Sequence, residues 1–401
     1  MTRPALVVLS SLFPSPSEPL AGVFIRERMF RVAKELPITV VSPQPSFPGV
    51  GLIRKWQPTY RPDRPAFEAQ AGIEIYRPKA WCPPGVGRRW DSLAMARAAL
   101  PILAKLRAAG RCDLIDAHFA WPDGHAASLL GRALRVPWTI TLRGTEPRHL
   151  QEPALRPRIC AALNGAARLF SVCQALRSEA EAAGVPARRL TVVPNGVDCT
   201  RFVPLPRAAA RARLGLEPEA RVLCSVGGLV ERKGFQRVIG LMPRLLTRFP
   251  SLHYLIAGGG GPEGDRRAAL EAQAAQLGVG ERVHFLGPLA PSALAVPLSA
   301  ADVFVLPSRN EGWANVLLEA LACGTPVVAS DVGGTREVLG APGLGLLFPW
   351  HDDGALFDRL SEALCAPWSR DALVRHAKTQ SWDTRVTQLV EVFRTLVPAH
   401  A

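Results

Sequence analysis

An α/β protein of two doubly wound, Rossmann-like domains facing across a cleft is the fold this sequence predicts, on three observations. The chain has 401 residues, 48% hydrophobic and 20% charged, enough for two globular domains that each bury a core. In both halves short apolar or β-branched runs alternate with helical stretches over short connections, the pattern of a parallel sheet covered on both faces. Between the halves, "VVPNGVDCTRFVP" (192–204) punctuates the chain with Pro, Asn and Gly, a handover from one domain to the next. The domains are expected at 1–190 and 191–380, with 381–401 a C-terminal helix returning to the first domain.

In the first half, strands are predicted at 5–9, 38–42, 73–76, 114–117 and 138–141, and helices at 23–35, 91–109, 122–132 and 155–165. The apolar opening at 5–13 has only Arg3 before it and no small-x-small cleavage site after it. It therefore reads as a buried first strand, not a signal peptide. Residues 43–71, rich in Pro, read as an inserted loop. In the second half the alternation runs strand 221–226, helix 235–249, strand 252–257, helix 266–277, strand 283–286, helix 294–300 and strand 303–306. A helix after Trp313 and a strand at 326–330 complete it.

The segment "EGWANVLLEALACGTPVVAS" (311–330) holds two glutamates eight positions apart. Glu319 sits in an otherwise apolar run, where an unpaired carboxylate costs several kcal/mol and so calls for a ligand. Glu311 falls after a strand, at the end of a parallel sheet where ligands bind. Ala314, Asn315 and Val316 would offer free N–H groups at a helix start, a seat for phosphate. Glu319, one turn on, would accept hydrogen bonds from vicinal hydroxyls such as those of a ribose. The plainer readings are a solvated loop residue for Glu311 and a structural role for His125 and for the glycine run 258–261.

"EGWANVLLEALACGTPVVASDVGGTREV" resembles the E-x7-E segment of retaining glycosyltransferase family 4, whose fold is the two-domain GT-B type. "VVPNGVDCTRF" (192–202) is similar to that family's interdomain segment and "SVGGLVERKGF" (225–235) to its phosphate-binding strand and loop. "DLIDAHFAWPDG" (113–124) resembles its first-domain histidine segment, and "PLAGVFIRERM" (19–29) its glycine-containing acceptor-side loop. The resemblance implies that Glu311 contacts the transferred sugar, Glu319 the nucleotide ribose, and Lys233 the diphosphate. It places His118 near the reaction centre as a catalytic residue, and Gly22 where backbone approaches substrate. Gly312 joins Ala314, Asn315 and Val316 on the donor side. Two departures stand out: Gly228 occupies a position where the family usually has arginine, with Arg232 a candidate replacement, and Arg143 stands where histidine is frequent. Arg143 could add a phosphate contact.

The implied reaction is a retaining, metal-independent transfer from a UDP- or GDP-sugar, with no cofactor. The acceptor would be a glycan or a polyprenyl-phosphate-linked one, in cell-surface polysaccharide biosynthesis. No D-x-D pair occurs to hold a metal-bound diphosphate, so lysine and helix dipole would stabilise the leaving group. A nucleotide-sugar 2-epimerase on the same fold is the alternative. The eight cysteines form no CxxC pair and read as reduced thiols of a cytosolic protein. Residues 1–195 hold 27 Lys and Arg against 14 Asp and Glu, whereas the remainder is nearly balanced. The plain reading of this asymmetry is a solvated basic surface. The sharper one is a front half that faces an anionic lipid surface, with peripheral attachment to the inner membrane. A non-catalytic nucleic-acid binder is the remoter alternative, since no nucleic-acid module is recognisable.

Overall fold

Successive residues of the first strand, β1 (Leu6–Leu9), turn to opposite faces of a sheet, and both faces are sealed. Leu6 and Val8 join one apolar cluster, Val7 and Leu9 another, which is what a run apolar at every position requires. A computed structural model describes residues 3–57, 60–84, 87–261 and 263–397. The chain divides into two compact units, residues 1–195 with 382–401, and residues 196–381.

In the first unit β1 is joined by β2 (Ile38–Val41), β3 (Gln44–Ser46), β4 (Phe67–Gln70), β5 (Ile73–Tyr76) and β6 (Lys79–Trp81). Further along come β7 (Leu114–His118), β8 (Trp138–Leu142), β9 (Arg168–Ser171) and β10 (Leu190–Val192). Eight of them form one sheet in the order β10-β9-β8-β7-β1-β2-β5-β4, while β3 and β6 pair separately. Helix α1 (Val23–Val32) follows β1, and its Ile25 and Met29 share a cluster with Leu6 and Val8. The helix Trp382–Leu396 adds Val386, Leu389, Val390 and Phe393 to that same cluster.

The second unit holds β11 (Arg221–Val226), β12 (Leu252–Ala257), β13 (Val283–Gly287), β14 (Val303–Leu306), β15 (Val327–Ser330) and β16 (Gly345–Phe348). All its pairings are parallel, in the order β13-β12-β11-β14-β15-β16. Order reverses beside the first strand of each unit, between β7 and β1 and between β11 and β14. Those reversals are the topological switch points at which open α/β sheets bind ligands.

Residues 43–71 are not a plain loop. They contain β3, the helix α2 (Val50–Trp56) and β4. Strand β4 pairs antiparallel with β5 across the two-residue turn Ala71-Gly72, an edge hairpin on an otherwise parallel sheet. The helix expected at 122–132 starts differently, as a wide turn Ala120–Gly124 that leads into the helix His125–Leu134. Strands β9, β10 and β16 were not predicted; β10 and β16 form edges of their sheets.

Candidate functional site

At the switch point of the second unit the loop after β11 meets the loop after β14. A tight turn, Glu231–Lys233, precedes the helix Phe235–Arg248, and no side chain caps that helix. Its first N–H groups and the positive end of its dipole therefore face the loop. Lys233 Nζ donates to Glu311 Oε1 at 2.5 Å, and both side chains are largely buried. The backbone supports this meeting, since Arg309 N donates to Arg232 O at 2.7 Å. The side chain of Arg232 turns away, its Nε donating to Glu263 Oε1 at 2.7 Å near the surface. At Gly228 an added Cβ would meet only Gly259 O, at 3.9 Å, an ordinary contact, so the backbone itself does not require glycine there.

The second glutamate follows on the helix Asn315–Ala322, again without a side-chain cap, with Ala314 before it. Its Leu317, Leu318, Ala320, Leu321 and Ala322 are buried, while Asn315, Val316 and Glu319 are half-buried. The run around Glu319 is core as expected, but Glu319 itself is only half-buried. At i and i+4, Asn315 and Glu319 share the helix face that solvent still reaches, so the carboxylate is not fully desolvated. The turn Glu311–Gly312 is braced by a residue the sequence reading missed. Gly333 is left-handed (φ 51°), and a Cβ there would lie 1.7 Å from Glu311 O. Its neighbour Gly334 donates its N–H to Gly312 O at 3.1 Å.

In the first unit His118 ends β7 and is fully buried. Its Nδ1 lies 2.9 Å from Arg143 Nη2. A guanidinium only donates, so Nδ1 accepts and the neutral ring carries its proton on Nε2, 3.5 Å from Asp116 Oδ2. Burial, with Arg143 and Arg28 close by, holds His118 well below its ordinary value. Nδ1 is thus engaged, while Nε2 is buried without a hydrogen-bond partner. Arg143 Nη1 donates to Asn195 Oδ1 at 2.9 Å, and the same oxygen accepts from Arg28 Nη2 at 3.0 Å. Burial, then the neighbouring Arg28, lowers the Arg143 pKa. Asp116 is pushed up to about 6 by burial, although Thr139 donates to it at 2.7 Å.

Two further buried carboxylates, overlooked in the sequence, tie the loops of this end together. Glu146 accepts from Arg143 N (3.1 Å), Gly144 N (2.7 Å) and Ala120 N (3.1 Å). Asp123 accepts from Ser11 N at 3.0 Å and Ser11 Oγ at 3.1 Å. Gly22 was expected to admit substrate. It is left-handed (φ 70°) and its Cβ would come within 2.5 Å of Leu12 O, so a contact inside its own loop also requires glycine. His125 is structural: Nδ1 lies 2.8 Å from Ser92 Oγ, and the ring stacks on Trp121.

Among the described residues no three His, Cys, Asp or Glu side chains gather as metal ligands, and no helix is long and apolar enough to cross a membrane. No disulfide joins the described cysteines.

Two families match the chain in tandem: Glycosyltransferase Family 4 over residues 58–201 and Glycosyl transferases group 1 over residues 206–380. A D-inositol 3-phosphate glycosyltransferase of Corynebacterium urealyticum is 34% identical over 310 residues, covering 71% of this chain and 72% of the relative. The Bacillus subtilis protein TuaC, named for teichuronic acid biosynthesis, is 29% identical over 94% of this chain and 90% of its own. Sucrose-phosphate synthase of Thermosynechococcus elongatus superposes with a TM-score of 0.79 at 23% identity, over 98% of this chain and 99% of that one. Anabaena HepE, solved in complex with UDP, gives 0.72 at 20% identity, over 98% and 100%. These structures share the GT-B fold. With a relative more than 30% identical over two thirds of both proteins, and each half matched by the corresponding family, this chain belongs to the family 4 glycosyltransferases.

Proposed function

We propose that this enzyme is a retaining, metal-independent glycosyltransferase that uses a UDP- or GDP-sugar and a glycan or polyprenyl-phosphate-linked acceptor. The observation that carries the reading is the Lys233–Glu311 pair at the switch point, 2.5 Å apart between two uncapped helix starts. Lys233 and the helix N-termini, with N–H groups from Gly312 to Val316, take the diphosphate. Glu319 takes the ribose hydroxyls and Glu311 the transferred sugar. In the first unit, His118 is the proposed catalytic residue, and Arg143 and Gly22 are proposed donor-binding residues.

A carboxylate held by an ammonium is a weak nucleophile, so Glu311 is not expected to form a glycosyl-enzyme. The acceptor hydroxyl instead attacks C1 from the face the diphosphate leaves. The C1–O bond to phosphate breaks, and the departing phosphate oxygen takes the hydroxyl proton. The positive charge of Lys233 stabilises the leaving group without a metal.

A lipid-linked acceptor would place the enzyme at the cytoplasmic face of the inner membrane, in cell-surface polysaccharide assembly. The test is product analysis by NMR with anomerically labelled donor, with and without EDTA. The label should move to an acceptor with its configuration kept and at an unchanged rate in EDTA. Inversion, label remaining on the nucleotide, or full loss of activity restored by Mg²⁺ would each overturn the reading.

A further inference from the structure

We propose that the lobe built from β3, α2 and β6 docks the enzyme on an anionic bilayer, with Leu52, Trp56 and Trp81 entering the headgroup region. The assignment rests on the lipid-linked acceptor proposed above. Helix α2 has seven residues and none of them is buried. A helix that short does not hold itself together in water, and here polar contacts hold it in place of a core. Arg54 donates to Arg61 O through Nε (3.0 Å) and Nη2 (2.7 Å), and Arg61 donates to Cys82 O at 2.6 Å while lying over the Phe47 and Tyr60 rings.

That arrangement leaves the apolar side chains outside. Leu52 is 65% exposed and Trp56 88%, and as i and i+4 they share one face of α2. Trp81, 66% exposed, sits on β6 opposite Ser46, four residues before α2 begins. Other exposed aromatics of this unit already have partners. Arg89 and Arg158 lie over the Trp90 ring, and Phe67 packs on Tyr76.

Charge says what covers the face. Residues 43–66 carry Arg54, Lys55, Arg61 and Arg64, the last paired with Glu18 from outside the segment, against Asp63 alone. Lys79 and Arg54 share that one carboxylate, at 3.9 Å and 3.6 Å. Tryptophan beside cations suits the membrane–water interface, where the ring keeps its N–H in the wet layer and Lys and Arg meet lipid phosphate. A protein partner or a second copy would not need this excess of positive charge.

Vesicle co-sedimentation of the full chain tests the assignment, using phosphatidylcholine alone and a 3:1 mixture with phosphatidylglycerol. Binding should require phosphatidylglycerol and fall when salt is raised from about 50 mM to about 500 mM. The combined Leu52→Ser, Trp56→Ser, Trp81→Ser variant should lose at least about tenfold in partitioning, and Lys55→Ser with Lys79→Ser a similar factor. All of these side chains are exposed, so melting temperature and UDP or GDP titrations should match the wild type. Equal recovery on both vesicles, or an unchanged partition of the apolar variant, would overturn the proposal. So would concentration-dependent self-association that the apolar variant abolishes. In any of these cases intact nucleotide binding would leave the transferase reading standing, whereas its loss at Lys233 would count on that reading alone.

Discussion

Lys233 and Glu311 stand 78 positions apart in the chain and meet at 2.5 Å. Each was recognisable alone, from a local segment whose chemistry is carried by few residues; their pairing was not, because it depends on β11 and β14 lying side by side. The pairing makes the two residues compete with substrate in opposite senses. Lys233→Ala should weaken nucleoside diphosphate binding by about 1.5–3 kcal/mol, the worth of a hydrogen bond to a charged group. Arg232→Ala should do less, since its guanidinium is engaged with Glu263. Glu311→Gln releases the ammonium, so diphosphate affinity should hold or rise while turnover falls. Calorimetry with steady-state kinetics checks the set, and a larger loss at Arg232 than at Lys233 would move the phosphate role. Gly228 supplies a gain-of-function counterpart: a Cβ there meets only Gly259 O at 3.9 Å, so Gly228→Arg should tighten diphosphate binding, with the melting temperature checking that the variant folds.

The elements that present these residues were largely legible. Strand β11 and strand β14 have their predicted bounds, and the helix bearing Glu319 starts two residues after Trp313. The insert at 43–71 was not legible, because Pro-rich composition suggested a loop while β4 is fixed by pairing with β5. The loop contact between Asp123 and Ser11 was likewise invisible, as it joins residues 112 positions apart. It has a measurable signature. Burial pushes the Asp123 carboxyl from 3.8 up to about 7, against the Ser11 bonds that lower it. The folded protein then holds the proton more tightly than the unfolded chain. That stabilisation is complete below about pH 4 and is lost as pH climbs through about 7. Asp123→Asn lacks it, so its stability relative to wild type should improve across that window by up to about 1.4 kcal/mol per pH unit. Denaturant unfolding at several pH values reads the difference, and a flat difference would show that the Ser11 bonds keep Asp123 ionised throughout.

For the whole molecule, the chain's last helix closes its first unit. Phe393 is buried and meets Phe170 edge-on at 5.5 Å, in the cluster that also holds β1 and α1. Phe393→Ala should cost about 3–5 kcal/mol, as large-to-small changes in a packed core do. The loss should appear in the unfolding of residues 1–195 and leave 196–381 unchanged, as read by hydrogen exchange; loss spread evenly over both units would contradict it. Composition and periodicity were enough to establish two parallel α/β units and to single out Glu311 and Glu319 as site candidates, and the family resemblance added Lys233. These are local properties, set by side-chain period and by turn residues. Tertiary structure alone decided that Glu319 keeps a half-exposed face, that His118 is neutral with its proton on Nε2, and that Gly22 and Gly333 serve backbone contacts. It also decided that α2 leaves its apolar face uncovered. Each of these depends on which distant residues come within about 4 Å, and nothing in a segment's own pattern records its neighbours.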